Sequence, residues 1–411
     1  MTDFQLVAIV LSLTAALAYV NARLIRLPAS VGLTAIALIG SLSLLALSRL
    51  GVDVSRAQAL VGELHFDDTV LHGMLGVLLF AGALHLDVAS LGADKLAVSA
   101  LALVGTALST LVIGGAIAVV LPAIGGASQP FRTIDAFLFG ALISPTDPIA
   151  VLAMLKAAAA PRQLETRIAG ESLFNDAIGV VVFTTVLAIA GGREIGAGEV
   201  ALMFAREALG GAAFGLIAGF VAYRLLRSID DYTVEVLITL ALAIGGYAAA
   251  EALRVSAPLA AIVSGLVIGY RGHRVMSTQT RQYIDAFWQL IDEVLNAVLF
   301  MMIGLTVLVL PFHPGMAWAG LLAIPIALAA RWISVATPLI AFGRFRQATP
   351  HSVTLLTWGG LRGGLSIAMA LSLPASGGRD VILGMTYAVV AFAILIQGTT
   401  FGPLVRRLIR A

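Results

Sequence analysis

Apolar residues run along this chain in blocks of about twenty, the length a helix needs to cross roughly 30 Å of hydrocarbon. Short polar stretches separate the blocks. The cuts fall near 4–24, 29–49, 69–88, 96–122, 134–156, 165–190, 199–227, 233–254, 257–270, 283–310, 316–343, 351–374 and 380–405. The pattern predicts an all-α polytopic membrane protein of about thirteen transmembrane helices. The ninth block is short and reads as a broken or tilted element. Thirteen blocks divide into a first repeat over 1–190, a linker helix over 199–227 and a second repeat over 233–411. Six spans precede the linker, so the second repeat starts in the opposite direction and the two are inverted. Inverted repeats are a common transporter architecture, with the site near the midplane on interrupted helices.

Composition agrees with the pattern. Of 411 residues, 60% are apolar and 12% charged, and the mean hydropathy is +1.00. A soluble domain carries about twice that share of charge. There is no cysteine, which excludes disulfides, thiol chemistry and cysteine-based metal sites. A net charge of +2 gives no nucleic-acid signal. Lysine occurs only at Lys95 and Lys156 beside abundant Ala, Gly and Arg, which hints at a GC-rich bacterial genome and hence the bacterial inner membrane.

The basic residues set the orientation, because they collect on the cytoplasmic side. With the N-terminus outside, the inner loops and tail hold Arg23, Arg26, Lys95, Lys156, Arg162, Arg167, Arg224, Arg227, Arg271, Arg274, Arg281, Arg344, Arg346, Arg406, Arg407 and Arg410. The outer loops hold only Arg49, Arg56, Arg132, Arg193, Arg254 and Arg379. The expectation is N-terminus out, C-terminus in. The first apolar run has no basic residue before it, opposite to a cleaved signal peptide. The few residues after the last span predict no regulatory domain there.

Two spans are interrupted at positions that match under the repeat. Span five carries ISPTDPIAVL from Ile143. Pro145 and Pro148 each remove a backbone donor and disrupt the helix, which frees the carbonyls of Ser144 and Thr146. Asp147 between them can cap the half-helix that follows and also ligate a cation. Span twelve carries GGLRGG, with Gly359, Gly360, Gly363 and Gly364 around Arg362. Arg362 can satisfy the carbonyl ends exposed at that break.

Charges inside apolar spans are costly and by default mark function. Span six reads ESLFNDAIGVVVF from Glu171. Ser172 and Asp176 are i, i+4 on one face, and Glu171 and Asn175 form the next such pair. Asp176 is the deeper acid. Without a partner its ionised form is unfavourable there, so it can take either a proton or a cation. Arg331 in span eleven needs a buried anion, and Glu171 is the expected partner, in a structural role. Asp147, Glu171 and Asp176 outnumber Arg331 and Arg362, so one acid is left over, and Asp176 is the favoured one. Asp292, Glu293 and Asn296 in span ten are expected to face water or the partner bundle. His85, Asp87 and Glu251 lie near span ends, and His65, His72, His273, His313 and His351 in loops or at span ends, where solvation is the simplest reading.

SPTDPIAVL followed by ESLFNDAIGVVVF resembles the paired motif of NhaP-type sodium/proton antiporters. These belong to the monovalent cation:proton antiporter family, relatives of the animal sodium/hydrogen exchangers. LLFAGALHLD, FMMIGL, ARWISV and GGLRGGLSIAMAL look like family segments in family order. The resemblance implies secondary antiport of Na⁺, with Li⁺ or K⁺ open, against H⁺. It implies an ion- and proton-binding Asp176 with Asp147, Ser172 and Thr146 as further Na⁺ ligands. It implies Glu171, Arg331, Asn175 and Arg362 as structural or charge-compensating residues. Asn175 before the key aspartate implies electroneutral one-for-one exchange. The resemblance also implies a homodimer, with a core bundle of spans 4–6 and 11–13 moving against a dimerisation domain of the other spans. Ala81 stands where many such relatives carry an acid, which leaves the ion preference open. No cofactor and no enzymatic activity are expected. The rival readings are an intramembrane aspartyl protease, whose GxGD context is missing here, and an uncoupled cation channel.

Overall fold

A computed structural model describes residues 2–123, 131–158, 160, 162–192, 196–310, 314–341, 351–375 and 378–409. Arg193, His313, Arg344, Arg346 and Arg410 lie outside the described residues. Among the described residues there are helices and no strands. Ten helices are long and apolar enough to cross a membrane.

In chain order the helices are α1 (Asp3–Ile25), α2 (Ala29–Arg49), α3 (Ser55–Leu84) and α4 (Leu96–Ala123), then α5 (Thr133–Ile143) and α6 (Ile149–Ala157). They continue as α7 (Leu164–Ala190), α8 (Gly198–Leu226), α9 (Tyr232–Ala252), α10 (Ala257–Arg271), α11 (Thr278–Val309) and α12 (Met316–Ile340). The last are α13 (Ser352–Trp358), α14 (Gly364–Leu371) and α15 (Arg379–Leu408).

Most elements match the apolar blocks, with two differences. The third block begins at Ser55 rather than near 69, and the helix kinks at His65, whose φ is 40°. Its first turns are polar, so hydropathy alone missed them. The short ninth block is a continuous helix of 15 residues, α10. At 1.5 Å per residue it spans about 22 Å, less than the hydrocarbon thickness. Instead of breaking, it packs closely between α3 and α8. A Cβ on Gly215 of α8 would come within 2.9 Å of Ala260 Cα, so a side chain there would push the two backbones apart.

The contacts sort into two sets. In one, α10 packs on α3 and α8, α11 packs on α2, α1 and α9, and α3 on α11. Polar bonds tie this set together. Thr34 Oγ1 donates to the Phe300 carbonyl (2.9 Å), Trp288 Nε1 to Thr239 Oγ1 (3.0 Å) and Tyr247 Oη to the Leu71 carbonyl (2.8 Å). In the other set, α4 packs on α5, α7 and α12, and α15 packs on α12, α6 and α14. The long apolar side chains left exposed, such as Leu202, Leu209 and Ile217 on α8, suit a lipid-facing surface.

Candidate functional site

Two interrupted helices meet at the site. The chain leaves the helix after Ile143 and re-enters it at Ile149, and it leaves again after Trp358 to re-enter at Gly364. Where the two extended stretches cross they form a single antiparallel bridge, in which the Asp147 N–H donates to the Leu361 carbonyl at 2.8 Å. Proline makes the first interruption by removing donors. Glycine makes the second possible by leaving room: a Cβ on Gly363 would lie 2.8 Å from Asp147 Cβ.

Each end of the first interruption has its own compensating charge. Asp147 Oδ1 accepts from the Ile149 N–H at 2.9 Å, which caps α6 and places a carboxylate at its positive end. Arg362 Nη1 donates to the carbonyls of Ser144 and, at 2.8 Å, Pro145, at the negative end of α5. This corrects one expectation. Arg362 serves the end of the other broken helix rather than its own, and the Ser144 carbonyl is therefore already bonded. The Ser144 hydroxyl turns back to the Gly140 carbonyl at 2.6 Å.

Helix α7 presents two acids to different surroundings. Glu171 is 1% exposed and grips Arg331 with both oxygens, Oε1 to Nη1 at 2.7 Å and Oε2 to Nη2 at 2.8 Å. Arg331 also donates to the Leu356 carbonyl from Nε (3.3 Å) and Nη2 (3.2 Å). Asn175 extends the network: Nδ2 donates to Glu171 Oε1 (3.0 Å) and Thr146 Oγ1 (2.8 Å), and Oδ1 accepts from the Thr146 N–H (3.1 Å). The Thr146 and Ser172 hydroxyls close it at 3.1 Å. This buried network is well satisfied, the condition under which charge in a low-dielectric interior fixes geometry.

Asp176, one turn further along, has no hydrogen-bond or ion-pair partner among the described residues. It lines a cavity of about 170 Å³ together with Asp147, Pro145, Gly363 and Ser366. Of the four ligands expected from the sequence, Asp176 and Asp147 face this cavity, whereas Thr146 and Ser172 are buried beside it and bonded to each other. The cavity also has two polar residues on α11, Asp292 and Asn296, which the sequence reading did not assign to the site. Their i, i+4 spacing in an apolar span was the available signal. Among the described residues no group of three or more His, Asp or Glu side chains is arranged to hold a metal ion.

The outlying polar groups are solvated or locally paired. His72 lies 3.5 Å from Asp68 and 3.7 Å from Glu251 on an exposed face. His85 contacts the carbonyls of Ala81 (2.9 Å) and Asp285 (3.3 Å). Glu293 accepts from Gln289 at 2.9 Å. At the loop before α5, Arg132 pairs with Asp135 at 2.8 Å, and that partner holds the guanidinium above its ordinary pKa.

The sequence profile described as "Sodium/hydrogen exchanger, transmembrane" matches residues 9–407. The chain belongs to the sodium/hydrogen exchanger family. It is 46% identical to the Na(+)/H(+) antiporter NhaP of Pseudomonas aeruginosa, over 98% of this chain and 96% of that one. It is 34% identical to the Na(+)/H(+) antiporter NhaH of Halobacillus dabanensis, over 94% and 93%. Among solved structures, the sodium proton antiporter MjNhaP1 from Methanocaldococcus jannaschii at pH 8 superposes with a TM-score of 0.76 at 18% identity, over 98% of both chains. At that identity the likeness speaks for the fold alone. The chain is thus a multi-span membrane protein of an exchanger family with the antiporter fold.

Proposed function

We propose that this exchanger-family chain carries Na⁺ across the membrane in exchange for H⁺, with both occupants competing for Asp176. The observation that carries the reading is an unpartnered carboxylate on a cavity beside two crossed helix breaks. Two relatives that align over nearly their whole length bear the name Na(+)/H(+) antiporter, which names the cargo. Deprotonated Asp176 holds a largely dehydrated cation with Asp147, with oxygens of Thr146 and Ser172 completing the shell once they turn from each other. Protonation of Asp176 displaces the cation. Only the protonated or the occupied site is neutral enough to move through an apolar barrier, and this couples the two fluxes.

Asn175 supports one-for-one, electroneutral exchange. It is neutral and committed to Glu171 and Thr146, so it carries no second proton. The two sets of helix contacts support the division into moving parts. The elements of spans 4–6 and 11–13 (α4 to α7 and α12 to α15) form the core bundle, and the rest form the scaffold through which the protein dimerises. Counting each interrupted pair as one crossing gives thirteen spans, with inverted repeats over 1–190 and 233–411 and the N-terminus outside the bacterial inner membrane. In that orientation the cavity reaches from Val70, near the outer end of span three, to Leu152, Ala169 and Asp292 in the inner half.

The test is proton flux in proteoliposomes. A Na⁺ pulse is expected to dissipate a preset pH gradient, with apparent Na⁺ affinity rising as pH rises because fewer protons compete. A potential imposed with K⁺ and valinomycin is expected to leave turnover unchanged. Absence of Na⁺-dependent proton movement would overturn exchange. A clear response to potential would overturn the stoichiometry.

A further inference from the structure

Part of the cavity wall belongs to α11, and its polar residues, Asp292 and Asn296, take no part in the exchange step described above. They lie one helical turn apart on one face. Asn296 is 5% exposed, and its Nδ2 donates to Asp292 Oδ1 at 3.1 Å. With the nitrogen committed to Asp292, the amide oxygen is the free end. That oxygen is buried and receives no hydrogen bond from any described residue. Buried acceptors in native proteins are nearly always satisfied, and because Asn296 lines the cavity, a small turn of its amide brings this oxygen to a donor or cation there.

The other polar side chains of the cavity argue for a cation. Asp147 and Asp176 are acceptors when ionised, and Ser366 has the one neutral hydroxyl. Among the described residues no Lys, Arg or His lines the space. A carboxylate and an amide carbonyl are hard oxygen ligands of the kind that hold hard cations. One carboxylate paired with one neutral amide matches a single positive charge.

We propose that Asn296 Oδ1 and Asp292 form a second cation subsite on α11, where a partly hydrated Na⁺ rests before crossing the cavity to Asp176. The proposal rests on the exchange reading above. It adds a fixed station: α11 packs most heavily on α2, then on α3, α1 and α9, and only lightly on α14 of the broken helices, so the subsite stays with the scaffold while Asp176 moves. The waiting cation keeps part of its water and sheds it at Asp176, which splits one large dehydration into two smaller ones.

The experiment compares Asn296→Leu, which removes the oxygen at similar volume, with Asp292→Asn, which removes the charge. Na⁺-driven proton flux is measured against Na⁺ concentration in proteoliposomes. Each variant is expected to raise KM for Na⁺ by about tenfold, the weight of one lost ligand to a charged group, with kcat falling far less. A purely structural role would lower kcat and thermal stability together and leave KM in place. A second readout is direct Na⁺ binding by calorimetry in an Asp176→Asn background. Weak residual binding is expected there, and it should vanish when Asn296→Leu is added. If Asn296→Leu does not fold, Asp292→Asn carries the test. An unchanged KM in the folded variants overturns the second subsite while leaving exchange at Asp176 standing. Full exchange by Asp176→Asn alone would instead overturn Asp176 as the site where the two ions compete.

Discussion

Two acids on one helix, Glu171 and Asp176, lie a little over one turn apart and in opposite circumstances. Around Glu171 each strong donor or acceptor has a partner: Arg331 forks onto the carboxylate, Asn175 bridges it to Thr146, and Thr146 meets Ser172. Around Asp176 there is a cavity and two further carboxylates. The first region holds the crossing of the broken helices in place. The second is held open by it. In the proposed exchange, the satisfied charges build the frame and the unsatisfied one, Asp176, does the work. Changes in the Glu171 region should therefore cost stability first, and changes in the cavity should cost turnover first.

The strongest way to break this comparison is Arg331→Ala. It leaves Glu171 buried without its counter-charge and frees the Leu356 carbonyl. Removing one partner of a buried pair costs about 3–5 kcal/mol. Thermal unfolding in detergent should show a large loss, with little folded protein recovered. A small shift would mean the pair is not the frame.

Gly363→Ala sharpens the comparison at the boundary between the two regions. The new Cβ would sit 2.8 Å from Asp147 Cβ, so the crossing must spread. Overpacking of this kind costs about 1–3 kcal/mol. Both unfolding temperature and Na⁺-dependent flux should fall. Unchanged flux would show that the crossing tolerates movement.

Asn175→Leu removes the amide that serves Glu171 and Thr146 and leaves the Thr146 N–H without its acceptor. An orphaned buried group costs about 1–3 kcal/mol. Stability should drop by that order, and flux measured well below the new melting temperature should persist in part.

Arg132→Ala is the control, far from both regions. Its side chain is 55% exposed while Asp135 is buried and keeps the backbone N–H of residue 132, so the loss lies between the about 0–1 kcal/mol of an exposed pair and the larger cost of a buried one. Asp135 raises the Arg132 pKa, so the pair's contribution is present below the ordinary arginine value and lost only as pH climbs through the still higher folded one. Across neutral pH, the melting temperature of this variant should differ from the parent by a constant amount. A difference that changed with pH in that range would contradict this.

Much of the frame was legible in the chain because membrane spans make polar residues conspicuous. Pro145 and Pro148 announced one interruption, and the glycines around Arg362 announced the other. The surplus of Asp147, Glu171 and Asp176 over Arg331 and Arg362 left at least one acid without an arginine, and because Arg362 turns to carbonyls, both Asp147 and Asp176 go without one. What stayed hidden depends on rotation and on reach across the fold. The face that α11 turns toward the cavity is set by its packing on α2 and α9, so the sequence left Asp292 and Asn296 between water and the partner bundle. Arg362 reaches from its own break to the carbonyls of Ser144 and Pro145, a contact between residues more than two hundred positions apart. The mutual bond of Thr146 and Ser172 is also tertiary, and it explains why two expected ligands lie beside the cavity rather than in its wall. The early start of α3 was missed because its first turns are polar.

The most direct measurement pairs exchange with stability in Asp176→Asn. The substitution keeps the shape and removes the cavity carboxylate that has no hydrogen-bond or ion-pair partner among the described residues. The expected result is complete loss of Na⁺-driven proton flux in liposomes, with a melting temperature equal to or above that of the unaltered protein. Retained flux, or a collapse of stability like that expected for Arg331→Ala, would contradict the assignment of Asp176 as the working acid.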